Sequence, residues 1–430
     1  MKKTIRITQQ GVASRARLLS LLSEACELEH ALSCSYLFAA FSLKKELDEG
    51  ISWDEQQEYR RWASEVFHVA AEEMLHLAQA WNILTAVGGS PYYARPNFPQ
   101  AAKHFPLPVS LLLRKYDAAT VERFTYYENP AHEKSGKKKA ALPAKGGWPI
   151  NESFPFDSVG ALYGEIRRII ETLGESTLFI GKLDEQVTRD LVDFPNLIAV
   201  TDRRSAVAAI EMITEQGEGN SGDREDSHYD VFCDLLEKAK GYGKKREPAR
   251  RVGDNPYVRR RRDQMVPYMP DVFHKSGIVM TVITHPTSLL AVDLFDDVYA
   301  AMLQALAYVF SNATKDPRLL KTFASAALRI MMMVIRPLGE ALTLMPSGVK
   351  NVNAGPAFAM TRHSQLPPPP RAALLVFTER LEELASHAGE LHRLAPEQRL
   401  SPIAVGHLHS VRTNTAIIAS SCREALVGHT

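Results

Sequence analysis

Two long stretches of this chain, residues 14–44 and about 54–87, carry apolar residues at spacings of three and four, and ionisable side chains break each apolar stripe. The first stripe runs through Leu18, Leu22, Ala25, Leu32 and Tyr36, and Glu29 falls on it while Glu24 and Glu27 fall on the polar side. The second runs through Val66, Val69, Ala80, Leu84 and Val87. Glu73 and His76 lie on it in the order Glu-x-x-His, which puts both side chains on one helix face, one turn apart. A second such pair, Glu65 and His68, falls toward the polar face with Glu72 and Gln79. A carboxylate buried alone costs on the order of several kcal/mol. Glu29 and Glu73 therefore need a metal, a cation or a proton as partner.

The remaining pattern is helical too. Segments 158–175, 202–216 and 228–240 show helical periodicity in the first half, and 289–312, 317–344, 370–394 and 401–426 show it in the second. No strand-like alternation of useful length interrupts them. The fold class expected is all-α, as two helical bundles in tandem. Residues 1–240 form the first, 241–280 a connector, and 281–430 the second. Helices one and two of the first bundle join helices three and four through a long crossover at about 88–157, rich in Pro, aromatics and Lys. The basic runs at 244–251 and 259–262 read as solvated connector rather than as a phosphate-binding patch.

The third segment has its stripe at Leu162, Ile166, Ile169 and Leu173, with Glu165 on its border. In the fourth, Glu211, Glu215 and Glu218 share one side next to Val207 and Ile210, and periodicity does not choose among them. His228 opens the next helical stretch and can return toward the same carboxylates. Four carboxylates and two histidines inside a four-helix bundle are the ligand set of a carboxylate-bridged dimetal site. Oxygen ligands with two imidazoles suit iron or manganese, whereas a thiolate cage would suit zinc. The plainer alternative is a buried salt-bridge network partnered by His30, His68 and arginines. Four segments carrying the anomaly in register weigh toward metal.

Composition removes other classes. Hydrophobic residues make up 45% and charged residues 23% of 430, enough for a sizeable core. The formal net charge of +1 gives no reason to expect nucleic acid or an anionic membrane as partner. The opening MKKTIRITQQG is too polar for a signal peptide, and no run of 18 apolar residues offers a membrane span. Cys26, Cys34, Cys233 and Cys422 form no CxxC pair, which fits reduced thiols and a cytoplasmic location. Met331, Met332 and Met333 read as core packing, and the second bundle is a candidate homodimer interface.

The segments ELEHALSCSYLFAAFSLK, EEMLHLAQAWNILTAVGGSP, LYGEI and EQGEG…SHYDVF, with FDDVYAAMLQALAYVF, MMMVIRPLGEALTLMPSG and NAGPAF in the second half, resemble the ferritin-like family labelled iminophenyl-pyruvate dimer synthase. That family includes proteins of the violacein and indolocarbazole pathways. The resemblance implies a ferritin-like four-helix bundle, with ligand roles for Glu29, Glu73 and His76, and it favours Glu215 with His228. Similar proteins often carry an acid two residues before the tyrosine of the third helix. Ala161 stands there, so Glu165 is the candidate to take over. The function implied is a non-haem di-iron or dimanganese oxidase or oxygenase. It would use O2 on a small amino-acid-derived metabolite, by oxidation, oxygenation or oxidative coupling. Tyr36 is then a candidate to support the metal, against the plainer reading of a core tyrosine. Tyr92, Tyr93, Phe98, Phe105, Tyr126 and Tyr127 are candidates for a lid over the substrate. Iron storage without an organic substrate, and a metal-free scaffold, are the alternatives from other classes.

Overall fold

The computed structural model describes residues 13–100, 110–130, 156, 158–218, 227–241, 247–258, 278–314, 316–360 and 364–428. The all-α expectation holds. Helices α1 (Arg15–Ser42) and α2 (Trp53–Ala86) pack along their length as the centre of the N-terminal half. Ser14 caps α1 by accepting from the Arg17 amide, and Ser52 with Glu55 closes a capping box on α2. Gly88, at φ +87°, ends α2, and the Gly89 amide returns to the Leu84 carbonyl at 2.7 Å, so the Gly-Gly-x-Pro stop signal works as read.

The crossover carries α3 (Ala118–Tyr127), capped by Asp117. Then follow α4 (Val159–Thr172), a single turn α5 (Glu175–Leu178), α6 (Arg203–Glu218) and α7 (His228–Gly241). Helix α4 packs on α1 and α6, α6 also touches α2, and α7 packs on α3 while reaching α2 and α6. Five helical elements, α1, α2, α3, α6 and α7, thus converge near the middle of α2, with α4 beside α1.

The C-terminal half contains α8 (Pro286–Ser311), α9 (Pro317–Ile330), a π-turn at Met331–Ile335, α10 (Arg336–Leu342), α11 (Pro370–Glu397) and α12 (Pro402–Val427). Four of these helices, α8, α9, α11 and α12, begin with Pro in the first turn, where the missing N–H costs nothing. Two-residue strands β1 (Pro256–Tyr257) and β2 (Thr281–Val282) pair in parallel. One buried apolar cluster runs through both halves, from Leu18 to Leu426. No helix among the described residues is long and apolar enough to cross a membrane.

Two sequence readings change. Met332 and Met333 are not core residues: Met332 is 63% exposed. Pro337 cannot donate to the carbonyl of Met333, four residues earlier, and the Asn414 side chain donates to that carbonyl instead at 2.9 Å. The extra residue of the π-turn shifts the helix face, so the apolar run cannot all point inward. Nor is the described end of the 244–251 run a solvated connector. Arg250 is buried, bonds both oxygens of Glu49, and donates to the Phe41 carbonyl and the Thr343 hydroxyl.

The two halves meet closely where α10 crosses α1. A Cβ on Gly339 would lie 2.5 Å from the Phe41 ring. That ring is fully buried against Phe67 and Phe358 and cannot move aside. Gly339→Ala should therefore destabilise the protein by about 1–3 kcal/mol, as overpacking does. Chemical denaturation monitored by circular dichroism would show the shifted midpoint.

Candidate metal centre

Halfway along α2 the apolar face gives way to Glu73 and His76, and α1 brings Glu29 opposite them. All three are almost wholly buried, as is His228 at the start of α7. His76 Nδ1 lies 3.4 Å from Glu73 Oε2 and 3.8 Å from Glu29 Oε2. His228 Nδ1 lies 2.8 Å from Glu73 Oε1. The two imidazole rings stack with centroids 5.4 Å apart, each with its Nδ1 toward Glu73. Ligand atoms of Glu73, His76 and His228 all fall within 4.8 Å of one another.

Hydrogen bonds fix how these groups point. His76 Nε2–H donates to Gln216 Oε1 at 3.0 Å. His228 Nε2–H donates to Glu72 Oε2 at 2.9 Å. Gln216 Nε2 donates to the other oxygen of Glu72 at 3.1 Å, which ties the two together. This outer chain assigns the Nε2–H to both rings and turns both Nδ1 atoms inward, the arrangement that holds a metal-binding imidazole in one tautomer. Tyr163 on α4 donates to Glu29 Oε1 at 2.6 Å, leaving Oε2 to face His76. Tyr36 donates to Glu128 Oε1, and Glu128 Oε2 lies 3.8 Å from His228 Nδ1.

The electrostatics are those of a site short of positive charge. Burial opposes charging of His76, but Glu29 and Glu73 outweigh it and hold its pKa up at about 10. Burial likewise opposes charging of His228, and Glu73, Glu128 and Glu72 push its pKa well above the usual value. Burial, reinforced by the Glu73 charge, raises Glu29 to about 7. Burial and Glu128 push Glu73 up, yet the imidazoles prevail and keep it below the ordinary carboxylate range. Among the described residues, no Lys or Arg ion-pairs with Glu29, Glu73 or Glu128.

These donors fit a metal ion. Glu73 Oε1 and His228 Nδ1 are both fully buried and 2.8 Å apart, yet neither has a properly aligned hydrogen bond. Two ligand atoms each about 2.1 Å from one ion at a right angle stand about 3 Å apart. Carboxylates with imidazoles and no thiolate match iron or manganese. The four cysteines are free thiols and none belongs to this group.

The structure thus brings Glu29, Glu73, His76 and His228 together, with Tyr36 beside them. It does not bring the other two expected ligands. Glu165 sits between Arg17 of α1, at 3.2 Å, and Arg168 of α4, at 2.6 Å, at the border of the two helices. Those guanidiniums hold its carboxyl below its usual pKa, satisfying it without a metal. Glu215 is half-buried on α6, one position off the inward face, and its neighbour Gln216 makes the contact to His76. Of the alternatives, Glu211 pairs with Arg167, while Glu218 accepts from the Gly160 amide at 2.8 Å. His68 is 73% exposed, as the helix phase required. Tyr93, Phe98 and Tyr127 are packed core residues rather than a lid, Tyr92 and Tyr126 lean on that core, and Phe105 lies outside the described residues.

Sequence reasoning missed Glu72, Gln216, Tyr163 and Glu128. A signal for Glu128 existed: Val121, Phe124 and Glu128 follow the three-and-four spacing of α1, in a segment read only as crossover.

Comparisons with known proteins show the family and the fold. Residues 22–237 match the family described as Ferritin-like. The chain is 28% identical over 420 residues to the dichlorochromopyrrolate synthase of Lentzea aerocolonigenes, covering 88% of this chain and 39% of that protein. It is 25% identical over 379 residues to the 2-imino-3-(indol-3-yl)propanoate dimerase of Chromobacterium violaceum, covering 80% of this chain and 34% of that one. The chain therefore spans less than two fifths of the length of these relatives. A solved ferritin-like protein from Caulobacter vibrioides shares the fold with TM-score 0.50 and 18% identity, covering 82% of this chain and 99% of its own. These likenesses match the resemblance carried by the helical motifs.

Proposed function

The chain belongs to the ferritin-like family, and on that premise we propose that it is a non-haem dimetal enzyme that uses O2 to oxidise, oxygenate or oxidatively couple a small amino-acid-derived metabolite. Iron is the metal that fits best, with manganese as the alternative. The observation that carries the reading is the buried pair Glu73 Oε1 and His228 Nδ1, 2.8 Å apart without an aligned hydrogen bond, beside a second inward imidazole. The activities of the two relatives, a dichlorochromopyrrolate synthase and a 2-imino-3-(indol-3-yl)propanoate dimerase, favour an indolic or other aromatic α-imino or α-amino acid as substrate.

Glu29, Glu73, His76 and His228 would hold the metal, and bound iron would supply one-electron redox chemistry and O2 activation. The protein does the rest. Gln216 and Glu72 keep the imidazoles in register, and Tyr163 fixes the rotamer of Glu29. Phe124 and Phe232 pack on Tyr36 with ring centroids 4.7 and 4.9 Å away, walling the site from water on that side. A dry site strengthens each of these interactions.

Anaerobic loading with Fe(II), followed by O2-electrode measurement, tests the proposal. Wild-type protein should take up O2 at a rate that a small aromatic imino acid changes, and His76→Ala should not. Uptake that no such compound alters would overturn the enzymatic reading and leave iron storage. Equal uptake by the variant would overturn the site.

Acid should weaken metal binding. At pH 7 His76, with its pKa at about 10, carries a proton on the atom that faces the ion, and Glu29, at about 7, is half protonated. Metal must displace both, so affinity should fall by at least about tenfold per pH unit from pH 8 to 6, with protons released into weakly buffered solution. In the metal-free protein the two groups act on stability as follows. The His76 contribution is full below its unfolded pKa of 6.5 and is lost as pH rises through about 10. The protonated Glu29 contribution is lost earlier, as pH rises from 4.5 through about 7. Competition titrations with a chelating dye at pH 6, 7 and 8 would measure the first effect.

A further inference from the structure

Resting on the metal-site reading above, we propose that the centre is two matched triads sharing Glu73, and that its last ligand, Glu128, comes from the crossover rather than from a bundle helix. Glu128 sits at the C-terminal end of α3 and is 4% exposed. Its Oε2 faces His228 Nδ1 at 3.8 Å, the same separation that Glu29 Oε2 keeps from His76 Nδ1. Its Oε1 accepts from Tyr36, as Glu29 Oε1 accepts from Tyr163. Glu73 turns one oxygen to each imidazole. One triad is therefore Glu29, Glu73 and His76; the other is Glu128, Glu73 and His228.

Three independent observations support the second triad. His228 Nδ1 and Glu73 Oε1 are its two buried atoms without an aligned hydrogen bond. Glu128 is a buried carboxylate facing an imidazole and a phenol, with no Lys or Arg ion-paired to it among the described residues. Such burial is costly unless a cation completes it. Finally, charge balances: Glu29, Glu72, Glu73 and Glu128 supply four negative charges around two neutral imidazoles, which matches two divalent ions. Glu165, engaged by two arginines, is not needed.

Tyr36 and Tyr163 are positioning residues here. Each donates to one oxygen of a terminal carboxylate and so orients the other oxygen toward the imidazole with which it would share a metal.

Anaerobic titration with Co(II), followed by elemental analysis and visible absorption, tests the proposal. Wild-type protein should bind two ions per chain, and Glu128→Gln and His228→Ala should each bind one. The double variant should still bind one, and Glu165→Gln should bind two. Tyr36→Phe should keep two ions but change the ligand-field spectrum, which a purely structural role would not do. Unfolding midpoints of the metal-free variants identify any count lost to misfolding, and Tyr36→Phe, which removes one hydroxyl, then decides through its spectrum. Two ions in Glu128→Gln, or one in wild type, would overturn the second triad while leaving a metal site. No binding by wild type would overturn the metal reading itself.

Discussion

Glu73→Ala should empty the centre. This side chain touches both imidazoles, at 3.4 and 2.8 Å, whereas Glu29 is within 4 Å of His76 alone. Loss of an outer hydrogen-bond partner already costs a metal site about 10–100-fold in affinity. Loss of the shared carboxylate should exceed about 100-fold and abolish O2 uptake. The metal-free variant should also hold its imidazoles less basic, since Glu73 raises both. Isothermal titration with Fe(II) under nitrogen measures the first effect, and the imidazole proton shifts in NMR measure the second. Retention of tight binding would remove Glu73 from the centre.

Chelation should lower the melting temperature of wild-type protein and leave Glu73→Ala unchanged. A ligand present at a hundred times its dissociation constant stabilises by about 2.7 kcal/mol. Spread over 430 residues at about 2.1 cal/mol/K each, that corresponds to roughly 3 °C. The physical cause is specific: the metal-free site buries more carboxylates than its two imidazoles can neutralise. A scan with and without a strong chelator, repeated on the variant, separates metal stabilisation from any direct action of the chelator on the fold.

Much of this molecule was legible because helices repeat. The phase of the α1 and α2 stripes selected Glu29, Glu73 and His76 and set aside Glu65 and His68, and the structure places all five accordingly. Helix phase failed where the helix is short or its neighbours decide. On α4 the border position of Glu165 is covered by Arg17 from α1, a contact no local pattern contains. On α6 the rotation that brings Gln216 inward moves Glu215 off by one place, and both are polar, so periodicity had no apolar contrast to read. Glu128 was overlooked because α3 lies in a Pro-rich crossover whose composition hid a ten-residue helix. The Met331–Met333 run misled for a different reason. Pro337, four positions after Met333, changed the hydrogen-bond register, which turned two methionines outward.

The central claim is that two metal ions sit either side of Glu73. Anomalous diffraction at the iron edge, on crystals of protein purified without chelators, addresses it directly. Two peaks should appear, one beside His76 Nδ1 and one beside His228 Nδ1, with the Glu73 carboxylate between them. Iron-replete protein showing no peak there, or a peak elsewhere in the chain, would contradict the account.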